Sequence, residues 1–313
     1  LIARGHEVTL YAVSGSETAA RLRSPVTTSY TEDGAKWDWQ LYEAFQVREA
    51  FRAWSEFDII HCHSYYHGLL FCDFVATPSL HSFHIDPGPD YAFLGRRSAN
   101  RHIHCCSQFQ CRELHGVKRI HIIPHGIPVD KFYAPPETRR DDYFVFLGRF
   151  IPEKGPLEAI QIAKQAGVRL KLAAPETDYF NEVLKTQIDD KQIVYVGSLD
   201  GPAKAELLAH AQGLLYPIQR GEPFGLVLLE AMASGTPVYA LNRGAVPEII
   251  DNGITGWVAG TEEALVELIQ NAERLDRQNI RRIAERRFSS EAMIQQIEEL
   301  MMDIVGERAG EVS

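Results

Sequence analysis

GEPFGLVLLEAMASGTPV, residues 221–238, decides how the rest of the chain is read. Glu222 and Glu230 stand on either side of seven residues, of which six are apolar or glycine and the seventh is Pro223. Pro223 suits the turn into a helix. The free N–H groups around Phe224, Gly225 and Leu226 then face outward at the positive end of that helix, which makes an anion site. Gly225 leaves room for a ligand to approach the backbone. Leu226, Val227, Leu228 and Leu229 place apolar side chains around the circumference, so the helix is expected to be buried. Glu230 lies slightly more than one turn in. Its carboxylate is surrounded by core unless something hydrogen-bonds it, because an unpartnered buried charge costs several kcal/mol. A nearby Arg or Lys is the commoner partner for a helix glutamate, and a bound ligand that supplies donors is the other.

Working outward, β-rich runs that end in Gly, Pro or polar residues alternate with segments of helical period. EVTLYA, LYEAFQVREAFRAW, DIIHCH, GLLFCDFV, PSLHSFH, HIHCCS, QFQCREL and RIHIIP fill the first half. After FYAPPETRRDD, whose prolines and charges suit a linker, the rhythm restarts with YFVFLG, PLEAIQIAKQA, RLKLAA, QIVYVG and PAKAELLAHA. Such alternation predicts parallel sheets with crossover helices. The expected domains are residues 1–137, residues 138–287 and a closing amphipathic helix over 288–313, with Ser289 or Ser290 as its N-cap. Two successive doubly wound domains imply a cleft, with ligands at the carboxyl ends of the strands. LIARGHEVTLYAV, at the start, reads as a last helical turn, a Gly5 stop and a strand. An opening strand and most of its helix are therefore expected to be missing.

A chain of 313 residues, 45% of them hydrophobic, favours two domains. Residues 1–137 carry 13 basic against 15 acidic side chains and residues 138–313 carry 19 against 27, so neither half has the charge of a nucleic-acid binder. Five cysteines, none in a C-x-x-C pair, read as free thiols in a reducing compartment. No apolar run has the length of a membrane span and no signal-peptide pattern appears, so the expectation is a cytoplasmic protein with peripheral membrane contact left open.

Glycines two apart occur nowhere, which removes the dinucleotide fingerprint and the kinase glycine loop, and no P-loop, G-x-S-x-G or H-E-x-x-H run is present. His61-Cys62-His63, His81 and His84 invite a zinc reading, but they lack finger spacing, and a zinc site is the weaker expectation. Arg96, Arg97 and Arg101 form a basic cluster suited to an acidic acceptor or, more commonly, to an exposed helix face. In the second half, Gly148-Arg149 ends a strand, and Pro152-Glu153-Lys154-Gly155 leads into a helix. Arg149 and Lys154 thus emerge at the carboxyl edge of the sheet, where a guanidinium and an ammonium suit a diphosphate.

Arg149 and Lys154 in GRFIPEKG, GSL at 197–199, and EPFGLVLLEAMASGTPV together resemble the C-terminal half of retaining glycosyltransferases of the GT-B fold, family 4. IIPHGIPVDKF is similar to that family's linker run, with His125 where Asn is usual. The resemblance covers essentially the whole chain. It implies an α/β GT-B fold of two Rossmann-like domains facing a cleft, and transfer of a hexose from a UDP- or GDP-linked donor to an acceptor hydroxyl with retention. It also implies donor-binding positions. Arg149 and Lys154 hold the diphosphate, Glu222 and the amides of Phe224, Gly225 and Leu226 hold sugar and phosphate, and Glu230 holds the ribose. Gly148 and Gly197 line the donor side, and His84, six residues after Pro78, contacts the sugar, with His81 as competitor. No cofactor is expected, and no metal either, because the D-x-D pair through which the other large glycosyltransferase fold usually binds its cation is absent. The acceptor, whether sugar, lipid-linked or small molecule, is not identified. A nucleotide-sugar binder without transferase activity and a GT-B epimerase are the alternative readings. The glycosidase reading of paired carboxylates ranks below them, because one glutamate is assigned to the sugar and the other to the ribose.

Overall fold

Every strand pairing among the described residues is parallel, as the alternation of strand and helix demands. The computed structural model describes residues 1–26, 38–98, 101–132, 135 and 138–311. Residues 133, 134, 136 and 137, within the expected linker, lie outside the described residues. The chain divides into two units. One comprises Leu1–Cys106, Gln110–Ile123 and Ile294–Ser313, and the other comprises Ser107–Phe109 and Pro124–Met293.

In the first unit, β1 (Thr9–Tyr11) and β2 (Arg21–Arg23) pair as a two-stranded sheet. Helix α1 (Trp39–Arg52) is capped by Asp38, whose carboxylate accepts from Leu41 N at 3.2 Å. Val47 and Phe51 of α1 pack on Ile60 and Cys62 of β3 (Ile60–Cys62), because residues one helical turn apart share a face. Beyond β3 come α2 (His67–Phe71), β4 (Ser79–Ser82), α3 (Pro89–Arg97), β5 (Arg101–Cys105), α4 (Gln108–Cys111), whose first two residues belong to the second unit, and β6 (Ile120–Ile122). The sheet order is β3-β4-β5-β6. All residues of β4 and β5 are buried, as expected of central strands covered on both faces.

The second unit carries a six-stranded sheet. Its elements are β7 (Phe144–Leu147), α5 (Pro156–Ala166), β8 (Leu170–Ala173), β9 (Ile193–Tyr195), α6 (Gly201–His210), β10 (Gly213–Tyr216), α7 (Leu226–Ala233), β11 (Val238–Leu241), α8 (Val246–Ile249), β12 (Gly256–Ala259), α9 (Glu262–Asn271) and α10 (Arg277–Phe288). The order β12-β11-β10-β7-β8-β9 runs outward to one side from β7 and then, after a return, to the other from β10. The winding therefore reverses between β7 and β10, and the carboxyl ends of such a neighbouring pair are where open α/β sheets bind ligands. Phe146, Phe150 and Phe180 stack in the core beneath, with ring centroids 6.2 and 5.2 Å apart.

The final helix, α11 (Ser290–Glu311), starts where Ala292 N donates to Ser289 Oγ at 3.1 Å, which makes Ser289 the cap. Glu298 of α11 accepts from Arg4 and pairs with His6 at 2.6 Å, tying the helix to the beginning of the chain.

Candidate functional site

The loops that follow β7 and β10 carry Gly148, Arg149, Lys154, Glu222, Phe224 and Gly225, while Glu230 lies on α7 and Gly197 follows β9. Arg149 follows Gly148 just past the end of β7 and is exposed, and among the described residues no carboxylate or carbonyl holds its guanidinium. Lys154 ends a single 3₁₀ turn, Pro152–Lys154, before Gly155. Gly155 has φ +73°, and a Cβ there would collide with Pro217 O at the end of β10. Only glycine lets the two loops approach this closely. The second loop reaches Glu222, and Gly244 closes against it so tightly that a Cβ would lie 2.5 Å from Glu222 N and 2.7 Å from its carbonyl oxygen.

Three side chains meet here. Lys154 Nζ donates to Glu222 Oε2, and the Tyr216 hydroxyl donates to Glu222 Oε1. Burial raises the Glu222 carboxyl to about 7. Burial, then the neighbouring Arg149 charge, lowers Lys154 to about 8. One carboxylate thus faces two cations, which leaves a local positive surplus. The N-terminus of α7 adds to it. Its N-cap Gly225 sits at φ +97° and no side chain caps it, so the first N–H groups and the helix dipole face the same surroundings.

Glu230 shows the commoner of its two expected partners. Lys204, on α6, reaches Oε1 at 2.5 Å, with 26% of the lysine side chain and 15% of the glutamate side chain exposed. Lys204 also stands 5.5 Å from the centroid of the Phe132 ring, within cation–π reach. The helix itself is buried from Leu228 inward, whereas Leu226 is 49% exposed, so the apolar circumference expected to be buried opens at its first residue. Phe224 turns its ring into the core against His125 and Phe288, which leaves only its backbone for a ligand. Gly148 continues β7, and Gly197, at φ +83°, has no atom within 4 Å of a would-be Cβ.

In the first unit the two histidine candidates separate. His81 is 1% exposed, bonded to Ser79 Oγ at 2.8 Å, and close enough to Gly68 that a Cβ there would lie 2.7 Å from its ring. His84 is exposed and shares a 2.9 Å hydrogen bond with His63. Below them, His104 Nε2 donates to the Ile123 carbonyl, so its Nδ1 accepts from Ser82 and the Ser82 oxygen accepts from His61. Hydrogen bonds between rings and hydroxyls therefore link His61, Ser82 and His104, whereas the buried Nδ1 of His81 has no hydrogen-bond partner among the described residues. Among the described residues no group of three or more His, Cys, Asp or Glu is arranged to hold a metal ion.

Arg101 departs from the basic cluster expected with Arg96 and Arg97. It lies on β5, 4% exposed, and its Nε donates to the Gly95 carbonyl at 2.7 Å. The chain changes from helix to strand before it reaches Arg101, so spacing along a single helix does not apply. Tyr216 and Lys204 are functional-site neighbours that no motif marks. The one signal for Tyr216 is its place at the end of an apolar strand, next to Pro217. No described helix is long and apolar enough to cross a membrane.

The chain spans less than half the length of two curated relatives that it matches. It is 30% identical over 139 residues to N-acetyl-alpha-D-glucosaminyl L-malate synthase of Bacillus anthracis, covering 42% of this chain and 36% of that protein. It is 31% identical over 167 residues to phosphatidyl-myo-inositol mannosyltransferase of Mycobacterium leprae, covering 48% and 44%. Among solved structures, AviGT4, a glycosyltransferase involved in avilamycin A biosynthesis, superposes with a TM-score of 0.70 at 22% identity over 98% of this chain and 87% of that one. Anabaena HepE in complex with UDP gives 0.71 at 20% identity over 84% and 83%. These likenesses show the α/β GT-B fold. The glycosyltransferase family 4 model matches residues 1–131 and the glycosyl transferases group 1 model matches residues 131–288, and on that match the chain belongs to the glycosyl transferases group 1 family.

Proposed function

We propose that the protein transfers a hexose from a nucleoside diphosphate sugar to an acceptor hydroxyl with retention of anomeric configuration. The observation that carries this is the positive surplus at the β7/β10 reversal, where Arg149, Lys154 and the open end of α7 accompany a single carboxylate, Glu222. A departing nucleoside diphosphate needs fixed cations and N–H dipoles where its charge grows. Glu222 accepts from sugar hydroxyls and Glu230 accepts from the ribose diol. The acceptor oxygen forms its bond to the anomeric carbon from the face that the phosphate leaves. The electron pair of the broken bond stays on the phosphate, and a phosphate oxygen takes the acceptor's proton. His84, the exposed one of the two histidines, is assigned to the transferred sugar. The named activities of the two curated relatives, and the UDP bound to HepE, support a sugar-nucleotide donor.

Thermal shift with UDP-, GDP- and ADP-sugars tests the donor, since a ligand that binds only the folded form raises the melting temperature. At least one is expected to raise it in the parent and to lose most of that effect in Arg149→Ala. NMR of the transfer product is expected to show the donor's anomeric configuration. A parent protein that binds none of these nucleotides, or an inverted product, would overturn the corresponding half of the proposal.

A further inference from the structure

Glu222 has two oxygens and two dissimilar partners. Tyr216, which holds Oε1, is the last residue of β10, between β7 and β11 in the middle of the sheet, and only 3% exposed. Its ring has no room to swing. Lys154, which holds Oε2, carries its ammonium on a flexible four-carbon stem from a single 3₁₀ turn, and one fifth of its side chain is exposed. The backbone is shaped around the first bond. A Cβ on Gly225 would lie 3.1 Å from both the Tyr216 hydroxyl and Glu222 Oε1, so it would press on that bond, and the positive φ of +97° favours glycine there as well.

We propose that Tyr216 is a positioning residue for transfer: its hydroxyl keeps the Glu222 carboxylate in place while Lys154 leaves Oε2 for the diphosphate, and the vacated oxygen then accepts from the sugar. This rests on the donor reading above. A diphosphate brings more negative charge to Lys154 and Arg149 than one carboxylate does, which favours the exchange. Glu222, left without Lys154, would be a poorly partnered carboxylate free to change rotamer. The Tyr216 O–H, a donor at the edge of the core, keeps one oxygen satisfied throughout. A bare nucleotide also draws Lys154 away, but only a nucleotide sugar places hydroxyls against the Glu222 oxygen that the Tyr216 bond positions, so the sugar's share of the affinity is what depends on that bond.

The test is Tyr216→Phe, which keeps the ring and removes the donor, measured by calorimetric titration. The probes are UDP or GDP and whichever of UDP-glucose and GDP-mannose raises the parent's melting temperature more. Affinity for the bare nucleotide is expected to stay within about twofold, while the extra affinity contributed by the sugar falls by about tenfold. Equal weakening of both ligands would indicate a structural tyrosine and overturn the proposal, as would no change in either. A second readout needs no ligand. The Glu222 carboxyl carbon, identified through Glu222→Gln, is followed by NMR against pH and is expected to titrate at higher pH in Tyr216→Phe, because the lost hydrogen bond favoured the ionised form. An unchanged midpoint overturns the proposal. A parent that binds neither nucleotide nor nucleotide sugar overturns the donor reading and this proposal with it, with the carboxyl titration still showing whether the Tyr216–Glu222 bond exists.

Discussion

Glu222 and Glu230 belong to one motif and each holds a lysine, yet the two pairs are built differently. Glu222 lies in a loop, its lysine comes from another loop, and burial brings the two groups toward each other, with the carboxyl up to about 7 and the ammonium down to about 8. Glu230 lies on α7, whose next turn is fixed where Ser234 N and Oγ donate to the Glu230 carbonyl at 3.1 and 3.0 Å, and its lysine comes from α6. A pair held by loops and strained by desolvation can be opened by an incoming anion. A pair held by two helices serves as a support. The motif's two carboxylates are therefore expected to differ in what they lose when altered.

The largest difference is expected in catalysis. Glu222→Ala should lower kcat for transfer by roughly 10²- to 10³-fold, the scale seen when a preorganised polar contact to the reacting group is removed. Glu230→Ala should act mainly on nucleotide affinity, at about tenfold. Steady-state kinetics beside UDP or GDP titration separates the two. Equal losses in both measurements for both variants would abolish the distinction.

Next in size is a backbone effect on the loop that carries Lys154. Gly155→Ala meets both a left-handed φ and the Pro217 carbonyl, and should destabilise the protein by about 2–3 kcal/mol. Gly197→Ala has the strained φ alone, with open space around it, and should cost about 1 kcal/mol. Urea unfolding measures both. Matching values would mean that the contact between the β7 and β10 loops contributes nothing.

These two glycines mark the limit of what the sequence discloses. The parallel α/β plan, the Ser289 cap, the helix mouth at Gly225 and the cation pair after β7 are local, and local spacing displays them. Tyr216 and Lys204 act on residues brought near by strand order. Tyr216 and Lys154 share Glu222 only because β10 lies beside β7, and Lys204 meets Glu230 only because α6 lies beside α7. Arg101 shows the converse, since three arginines close in sequence are divided by a change from helix to strand.

The pH dependence is smaller near neutrality and grows away from it. The Glu222 carboxyl sits above its ordinary value, so the carboxylate proposed to meet the sugar is lost as pH falls through about 7. Lys154 sits below its ordinary value, so the ammonium proposed to hold the diphosphate is lost as pH rises through about 8. A bell-shaped kcat/KM profile with its maximum between these limbs is expected. Lys154→Arg should move the alkaline limb out of range and leave the acid limb in place, because a guanidinium stays charged. An alkaline limb that survives in Lys154→Arg would belong to another group. In the unliganded protein the same burial of Glu222 should raise stability as pH falls from about 7 to the ordinary carboxylate range, since the folded state binds that proton more tightly.

The smallest effect is expected at Lys204. Both members of its pair are partly exposed, so Lys204→Met should cost about 1 kcal/mol of stability and weaken UDP binding by no more than about fivefold. A nucleotide can compensate, because the ribose diol offers donors to the carboxylate that the lysine leaves. UDP and 2′-deoxy-UDP make that compensation visible. If Glu230 accepts from the ribose, the parent should favour UDP by about tenfold, and the loss caused by Lys204→Met should be larger for the deoxy nucleotide, which has one donor fewer. If the parent binds the two nucleotides equally, Glu230 has no ribose to read. Lys204 is then its whole explanation, and the second carboxylate of the motif is a structural ion pair between two helices.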